Sequence, residues 1–212
     1  MKQLKKLYLL CKDSDSIFLI VILRTLYYKL FGKNIIPHHK VIIRGKKNII
    51  TKERLFVGVA NNDFTLGSDK TYLHIKGSMI VEKDFHIGRG CKFAVGPKGK
   101  VILGRSMVNA YSTFIINHKL KIGNYCVISW NCQFLDDDLH TIQYDNKKEK
   151  NPNINIGNNI WIGSNVSVFK GVSIPDGCIV AANSVLVSSF QKKNCLIAGN
   201  PAKVIKQNVS WS

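Results

Sequence analysis

Acidic residues are scarce in this chain: 13 Asp and Glu stand against 31 Lys and Arg, a formal net charge of +18 over 212 residues. That balance favours anionic partners, such as a phosphorylated cofactor, an acidic membrane surface, an anionic glycan or a nucleic acid. No helix-turn-helix, RNA-recognition or zinc-finger pattern is present, which sets nucleic acid aside. There is no C-x-x-C pair among the six cysteines and no evident cleavable secretory signal, so a disulfide or metal framework is disfavoured and reduced thiols in a cytoplasmic protein are expected. The longest uninterrupted apolar stretch is too short to span a bilayer easily. With 45% hydrophobic and 21% charged residues the chain is globular, and its length suits one main domain.

What is present is a six-residue rhythm. Ile156, Ile162, Val168, Ile174, Val180 and Leu186 recur at intervals of six, with Gly157 and Gly163 after the first two. Four residues after successive anchors come Ile160, Val166, Val172, Cys178 and Ser184. Six is a multiple of the strand period of two and not of the helix period of 3.6, so the series rejects a helix. It describes short strands, each with one large and one smaller inward residue, stacked as a β-solenoid. Ile75, Val81, Ile87 and Phe93 form an earlier run, and Ile122, Ile128 and Phe134 another. Between them a Gly-Pro-Lys-Gly turn at Gly96 to Gly99 shifts the phase. The rhythm pauses over Asp136 to Asn155, an insert of the length that is usually functional. Cys91, Cys126, Cys132 and Cys178 fall at the smaller inward position, where cysteine acts as a small buried hydrophobe.

Residues 1–33 are different. Lys2, Lys5, Lys6 and Lys12 precede the apolar run Ile17 to Leu23, continued by Leu26, Tyr27, Tyr28, Leu30 and Phe31. The pattern predicts one helix closed by Gly32, then a linker Asn34 to Lys40. Three readings stay open: a helix on an anionic membrane surface, a helix packed on the solenoid or a neighbouring subunit, and a signal anchor.

The segment Ile156-Gly157-Asn158-Asn159-Ile160-Trp161-Ile162-Gly163-Ser164-Asn165-Val166 resembles the hexapeptide-repeat acyltransferases, and most of all their sugar O-acetyltransferase branch. Asp138-Leu139-His140 matches the Asp-x-His element of that branch, and Ala198-Gly199-Asn200-Pro201-Ala202-Lys203-Val204-Ile205 resembles its closing segment. The likeness covers roughly residues 75–207. It implies an all-β fold: a left-handed parallel β-helix with three hexads per coil, here with an N-terminal helix (1–40), the β-helix domain (41–207) with its insert 137–155, and a short tail (208–212). It also implies a homotrimer, active sites in the clefts between prisms, acetyl-CoA as co-substrate and no metal.

Acetyl transfer to a sugar hydroxyl needs a base to take the proton as the oxygen attacks the thioester, a task suited to histidine. The resemblance assigns this to His140, with Asp138 as its orienting partner and Asp136 or Asp137 as alternatives. Transfer is direct, so Ser164 is not a nucleophile; Ser164, Ala182 and Trp161 line the acetyl-CoA cleft, and Lys203 and Lys206 stand where coenzyme phosphates are met. Val187-Ser188 replaces the Thr-Lys found in many relatives, and Lys192 and Lys193 follow it. Asn109 is read as an amide at an anchor position, coinciding with an acceptor-binding asparagine. His86, His118 and His140 lack the spacing of a γ-type carbonic anhydrase. The expected reaction is O-acetylation of a bacterial surface polysaccharide or its lipid-linked precursor. N-acetylation of an amino sugar, small-molecule acetylation and a non-catalytic scaffold are the rivals.

Overall fold

The structure is a computed structural model that describes residues 2–59, 64–66, 68–141, 143, 145 and 151–212. Short strands separated by corners wind into three sheets, of nine, seven and six strands among the described residues. All pairings are parallel except the last, where Ala202–Gln207 folds back antiparallel on Cys195–Gly199. The chain is a left-handed β-helix of triangular section, as the hexads require.

Register explains why six-residue spacing suffices. In the first sheet Ile87 pairs with Val108, Val108 with Ile128, Ile128 with Ile162, Ile162 with Val180 and Val180 with Ile197, so one aliphatic column fills one side of the interior. In the second sheet Phe93, Phe114 and Phe134 stack with ring centroids 4.1 and 4.6 Å apart. Each ring is fully buried, contributing about 2–3 kcal/mol by transfer alone. All six cysteines are buried free thiols. Burial pushes the Cys91 thiol up to about 12 and that of Cys132 to about 11, so both remain protonated and inert.

Three expectations need correction. The solenoid begins before residue 41: Ile35–Pro37, within the expected linker, pairs with Leu55–Val57 as the first rung of the first sheet. The N-terminal segment is two helices, α1 (Lys2–Asp13) and α2 (Phe18–Leu30), because Asp13 to Ser16 offers side chains that compete with the helical backbone. Ser14 Oγ donates to the Leu10 carbonyl (2.7 Å), and Asp15 adopts φ 50°. Finally, Asn109 is not at an anchor. The corner between Leu103 and Ser106 is one residue short, so Val108 points inward and Asn109 follows it, level with Gly88, Ser129 and Gly163.

The helices cover the first coils. The Arg24 guanidinium donates to the carbonyls of His38 and His39 (2.9 Å each) and Val41 (2.7 Å). Buried Arg89, on a later coil, donates to the carbonyl of Ser14 in the interhelical turn. Val21 and Tyr28 are buried by this docking, while Leu19, Leu23, Leu26 and Leu30 remain exposed. No helix among the described residues is long and apolar enough to cross a membrane.

Two excursions leave the prism. Residues 58–71 join the first sheet to the second, and residues 136–153 join the second to the third. The second is the insert expected from sequence, ending where the strand Ile154–Ile156 begins.

Candidate active site

The excursion carrying His140 is fixed at its base. Asp136 is fully buried and accepts the backbone N–H groups of Asn117 (2.7 Å) and His118 (2.9 Å) from the coil before it. Burial pushes its carboxyl above the usual carboxylate range, against the pull of those hydrogen bonds. Asp137 accepts from Asn117 Nδ2 (3.0 Å) and from the Leu139 N–H (2.9 Å), and lies 3.8 Å from His118 Nε2. The Leu139 N–H and Asn117 amide hold the Asp137 carboxyl below its ordinary value. Leu139 turns with φ 61° and brings the exposed His140 back toward Asp138.

The expected Asp138–His140 partnership takes an altered form. The Asp138 carboxylate is paired with Lys170 of the following coil. It is the Asp138 carbonyl that lies 3.4 Å from His140 Nδ1. With the proton on Nδ1, the ring donates to that carbonyl and leaves Nε2 free to accept. Asp136, the alternative partner, is occupied with the backbone of Asn117 and His118. Sequence spacing alone could not distinguish these carboxylates; the phenylalanine column before them sets which one turns inward.

The other expected site residues lie elsewhere on the prism. Ser164 and Ala182 are at successive corners between the first and second sheets, and Asn109 is at the same edge two coils earlier. Gly163 lets these coils stack, since a Cβ there would sit 2.6 Å from the Ala182 nitrogen. Trp161 is on a first-sheet strand (Trp161–Ile162) rather than at a corner, 42% exposed, and its Nε1 donates to Ser129 Oγ at 3.3 Å. Trp211, in the tail, approaches it with ring centroids 6.4 Å apart and donates from Nε1 to the Asn159 carbonyl (3.0 Å). The bulky indole beside the small side chains of Ser164 and Ala182 leaves a groove with one apolar wall, which fits a pantetheine chain. Lys203 and Lys206 are exposed on the final antiparallel strand, Lys192 Nζ reaches Gln207 Oε1 (3.4 Å), and Lys193 pairs with Asp176 (3.1 Å).

Within one chain, then, His140 and the Trp161–Ser164–Ala182 groove are not brought together. They occupy different edges, separated by the second sheet, whose four-residue strands are about 13 Å long. His86 stacks on Phe56 in the first sheet (4.3 Å), far in topology from His118 and His140. Phe64, Tyr111 and Trp130, which sequence reading passed over, form an exposed aromatic cluster at the same edge as Ser164. Its one sequence signal is two bulky aromatics, Tyr111 and Trp130, on corners where other coils carry small residues.

No protein-family model matches the chain. An uncharacterized 24.8 kDa protein of the cps region of Klebsiella pneumoniae is 37% identical over 204 residues, 95% of this chain and 92% of that relative. Among solved structures, the polySia-specific acetyltransferase NeuO shares 24% identity and a TM-score of 0.51, covering 84% of this chain and 87% of its own. The chain belongs to the hexapeptide-repeat acyltransferase family. A second hexapeptide-repeat fold match is AntD, an N-acyltransferase from Bacillus cereus solved with dTDP and coenzyme A: 17% identity, TM-score 0.50, 85% of this chain and 88% of that one. At these identities the two structures bear on the fold of this acyltransferase-family member, whereas the Klebsiella relative bears on the family of nearly the whole chain.

Proposed function

We propose that this chain is an acetyl-CoA-dependent O-acetyltransferase acting on a sugar hydroxyl of a surface polysaccharide or its lipid-linked precursor. The observation that carries this reading is the exposed His140 imidazole, held by the Asp138 carbonyl on an excursion whose base is locked by buried Asp136. A cps-region relative supports the glycan as acceptor, since that is a capsule biosynthesis region. Coenzyme A in the AntD complex supports the donor.

In this mechanism His140 Nε2 removes the proton from the attacking hydroxyl as its oxygen bonds to the acetyl carbonyl carbon. Its Nδ1–H keeps donating to the Asp138 carbonyl, so the imidazolium is stabilised in place. Backbone N–H groups meet the oxyanion, and the imidazolium returns the proton to the departing thiolate. Trp161, Ser164 and Ala182 line the donor, Asn109 contacts the acceptor, and Lys203 and Lys206 meet the phosphates. Acetyl-CoA supplies the activated acyl group and no metal is needed.

The two edges meet when prisms associate, which supports a homotrimer with His140 from one copy facing the groove of the next. The exposed leucines of α2, flanked by Lys5, Lys6, Lys12, Lys29 and Lys33, support peripheral attachment to an anionic membrane face, each lysine adding about 1 kcal/mol. Vesicles with 30% anionic lipid (an experimental setting of about that fraction) should co-float the chain, and Leu23→Glu with Leu30→Glu should abolish it; unchanged flotation would remove the membrane from the account.

The direct test incubates the protein with labelled acetyl-CoA and purified capsular glycans. Label should enter the glycan and leave it under mild base, as an ester does. A base-stable product would mean an amide and N-acetylation; no transfer to any glycan would reject the reading.

A further inference from the structure

We infer that the cleft between Phe64, Tyr111 and Trp130 is a sugar-ring subsite, taking one pyranose unit of the acceptor glycan on its aromatic walls. The inference deepens the acetyltransferase reading above and rests on it for the word acceptor; the cleft's preference for a sugar ring rests on its own lining.

The cleft encloses about 420 Å³, and its floor is Asn131 and Asn165. Phe64 and Trp130 meet edge to face at 5.5 Å, and Phe64 lies 6.0 Å from Tyr111. Phe64 is 49% exposed and Trp130 44%. Flat aromatic faces with amides beneath them suit a pyranose, whose axial C–H groups present an apolar face and whose hydroxyls ring its edge. Asn131 Nδ2 donates to Asn165 Oδ1 (2.8 Å), which leaves Asn131 Oδ1 as an acceptor and the Asn165 amide as a donor. No lysine or arginine lines the cleft, although the chain carries a net charge of +18. Phosphate or coenzyme therefore fits it poorly, and an uncharged ring face fits it well.

The cleft is built, not incidental. Tyr111 occupies φ 62°, a left-handed conformation that at the equivalent corners is filled by Gly90, Asn131, Asn165 and Asn183. An aromatic residue there is strained, and such strain tends to persist where a site needs it. Gly90 accommodates it: a Cβ at Gly90 would lie 2.4 Å from the Tyr111 ring. The Tyr111 hydroxyl donates to Asp69, which also accepts the Leu66 N–H (2.8 Å), so the 58–71 excursion is tied down with Phe64 over the cleft. A polar trough lined by Thr113, Gln133 and Ser167 continues from the same Asn131–Asn165 floor along the second sheet. A neighbouring sugar would run there.

Continuity with the donor groove places the subsite usefully. Trp130 follows Ser129, whose hydroxyl receives the Trp161 indole N–H, and Asn165 follows Ser164. A ring held in the cleft is thus one residue removed, on two coils, from the residues assigned to the donor.

Saturation-transfer NMR on the full chain with methyl glycosides of galactose, mannose, N-acetylglucosamine and sialic acid tests this. At least one glycoside should receive saturation, concentrated on one ring face, and the signal should fall by about tenfold in Phe64→Ala and in Trp130→Ala. Both side chains are about half exposed, so folding should survive, and an unchanged melting temperature checks it. Absence of saturation with all four glycosides, or equal saturation in both variants, overturns the subsite. A change of assembly mass in either variant would mark the cleft as an interface between copies and also overturn it. Coenzyme A binding is measured on the same wild-type sample; its absence would count against the acetyltransferase reading, while glycoside binding would still uphold the subsite.

Discussion

The two excursions leave adjacent parts of the same prism and are anchored in opposite ways. The 136–153 excursion is held from below, by a buried carboxylate that accepts backbone N–H groups of the coil before it. The 58–71 excursion is held from above, by a phenol reaching out to an exposed carboxylate. The first arrangement fixes a single imidazole rigidly near its base; the second drapes an aromatic ring over an open cleft and lets it adapt. Chemistry needs the former and recognition of a varied polymer tolerates the latter.

The sharpest way to break this division is His140→Ala. Acetyl transfer should fall by about 10²- to 10⁴-fold with coenzyme A affinity unchanged, as measured by steady-state kinetics and calorimetry. Transfer within a factor of about three of wild type would assign the chemistry elsewhere. Next in size is Asp136→Ala, which leaves two backbone N–H groups without their acceptor. It should cost about 2 kcal/mol in denaturant unfolding and lower turnover as His140 loses its footing.

Acid should separate the two edges. His38, buried at the edge of the first excursion, is held down to about 3 by burial and by the nearby charges of His39, Arg89 and Lys40. The unfolded chain takes up that proton below about 6.5 while the folded chain refuses it, so its stability is full above about 6.5 and declines as pH falls toward 3. Melting at pH 5 should show a loss of roughly 1 to 2 kcal/mol relative to pH 7.5, and His38→Asn should flatten that slope. Asp136 has the opposite sign: its raised carboxyl favours folding below its unfolded value and that contribution is lost as pH rises through the folded one. The smallest effect is Tyr111→Phe, which keeps the ring and cuts the tie to Asp69. The acceptor KM should rise up to about fivefold with kcat unchanged.

The regular coils were legible in the sequence because a two-residue strand period survives any number of identical corners. Every anchor from Ile156 to Leu186 is buried. His140 was legible for the converse reason, as a histidine standing where the rhythm stops. Legibility failed where one residue was missing: the short corner at Gly104 moved Asn109 off the anchor and Val108 onto it. It failed again before residue 75, where the 58–71 excursion breaks the run and hides the first coils. The carboxylates beside His140 could not be ranked from spacing, because their roles depend on Asn117, His118 and Lys170 from neighbouring coils. The aromatic cleft joins residues 64, 111 and 130 and exists only once the coils stack.

The central claim is that one active site is assembled from two edges on adjacent copies: His140 from one and the Trp161–Ser164–Ala182 groove from the next. Mixed trimers test it most directly. His140→Ala and Ala182→Trp, which fills the groove, should each be inactive alone. Unfolded together and refolded as a mixture, they should recover about a quarter of wild-type activity, the share of interfaces that pair an intact groove with an intact histidine. No recovery from properly mixed trimers would contradict the account and place both edges' work within a single chain.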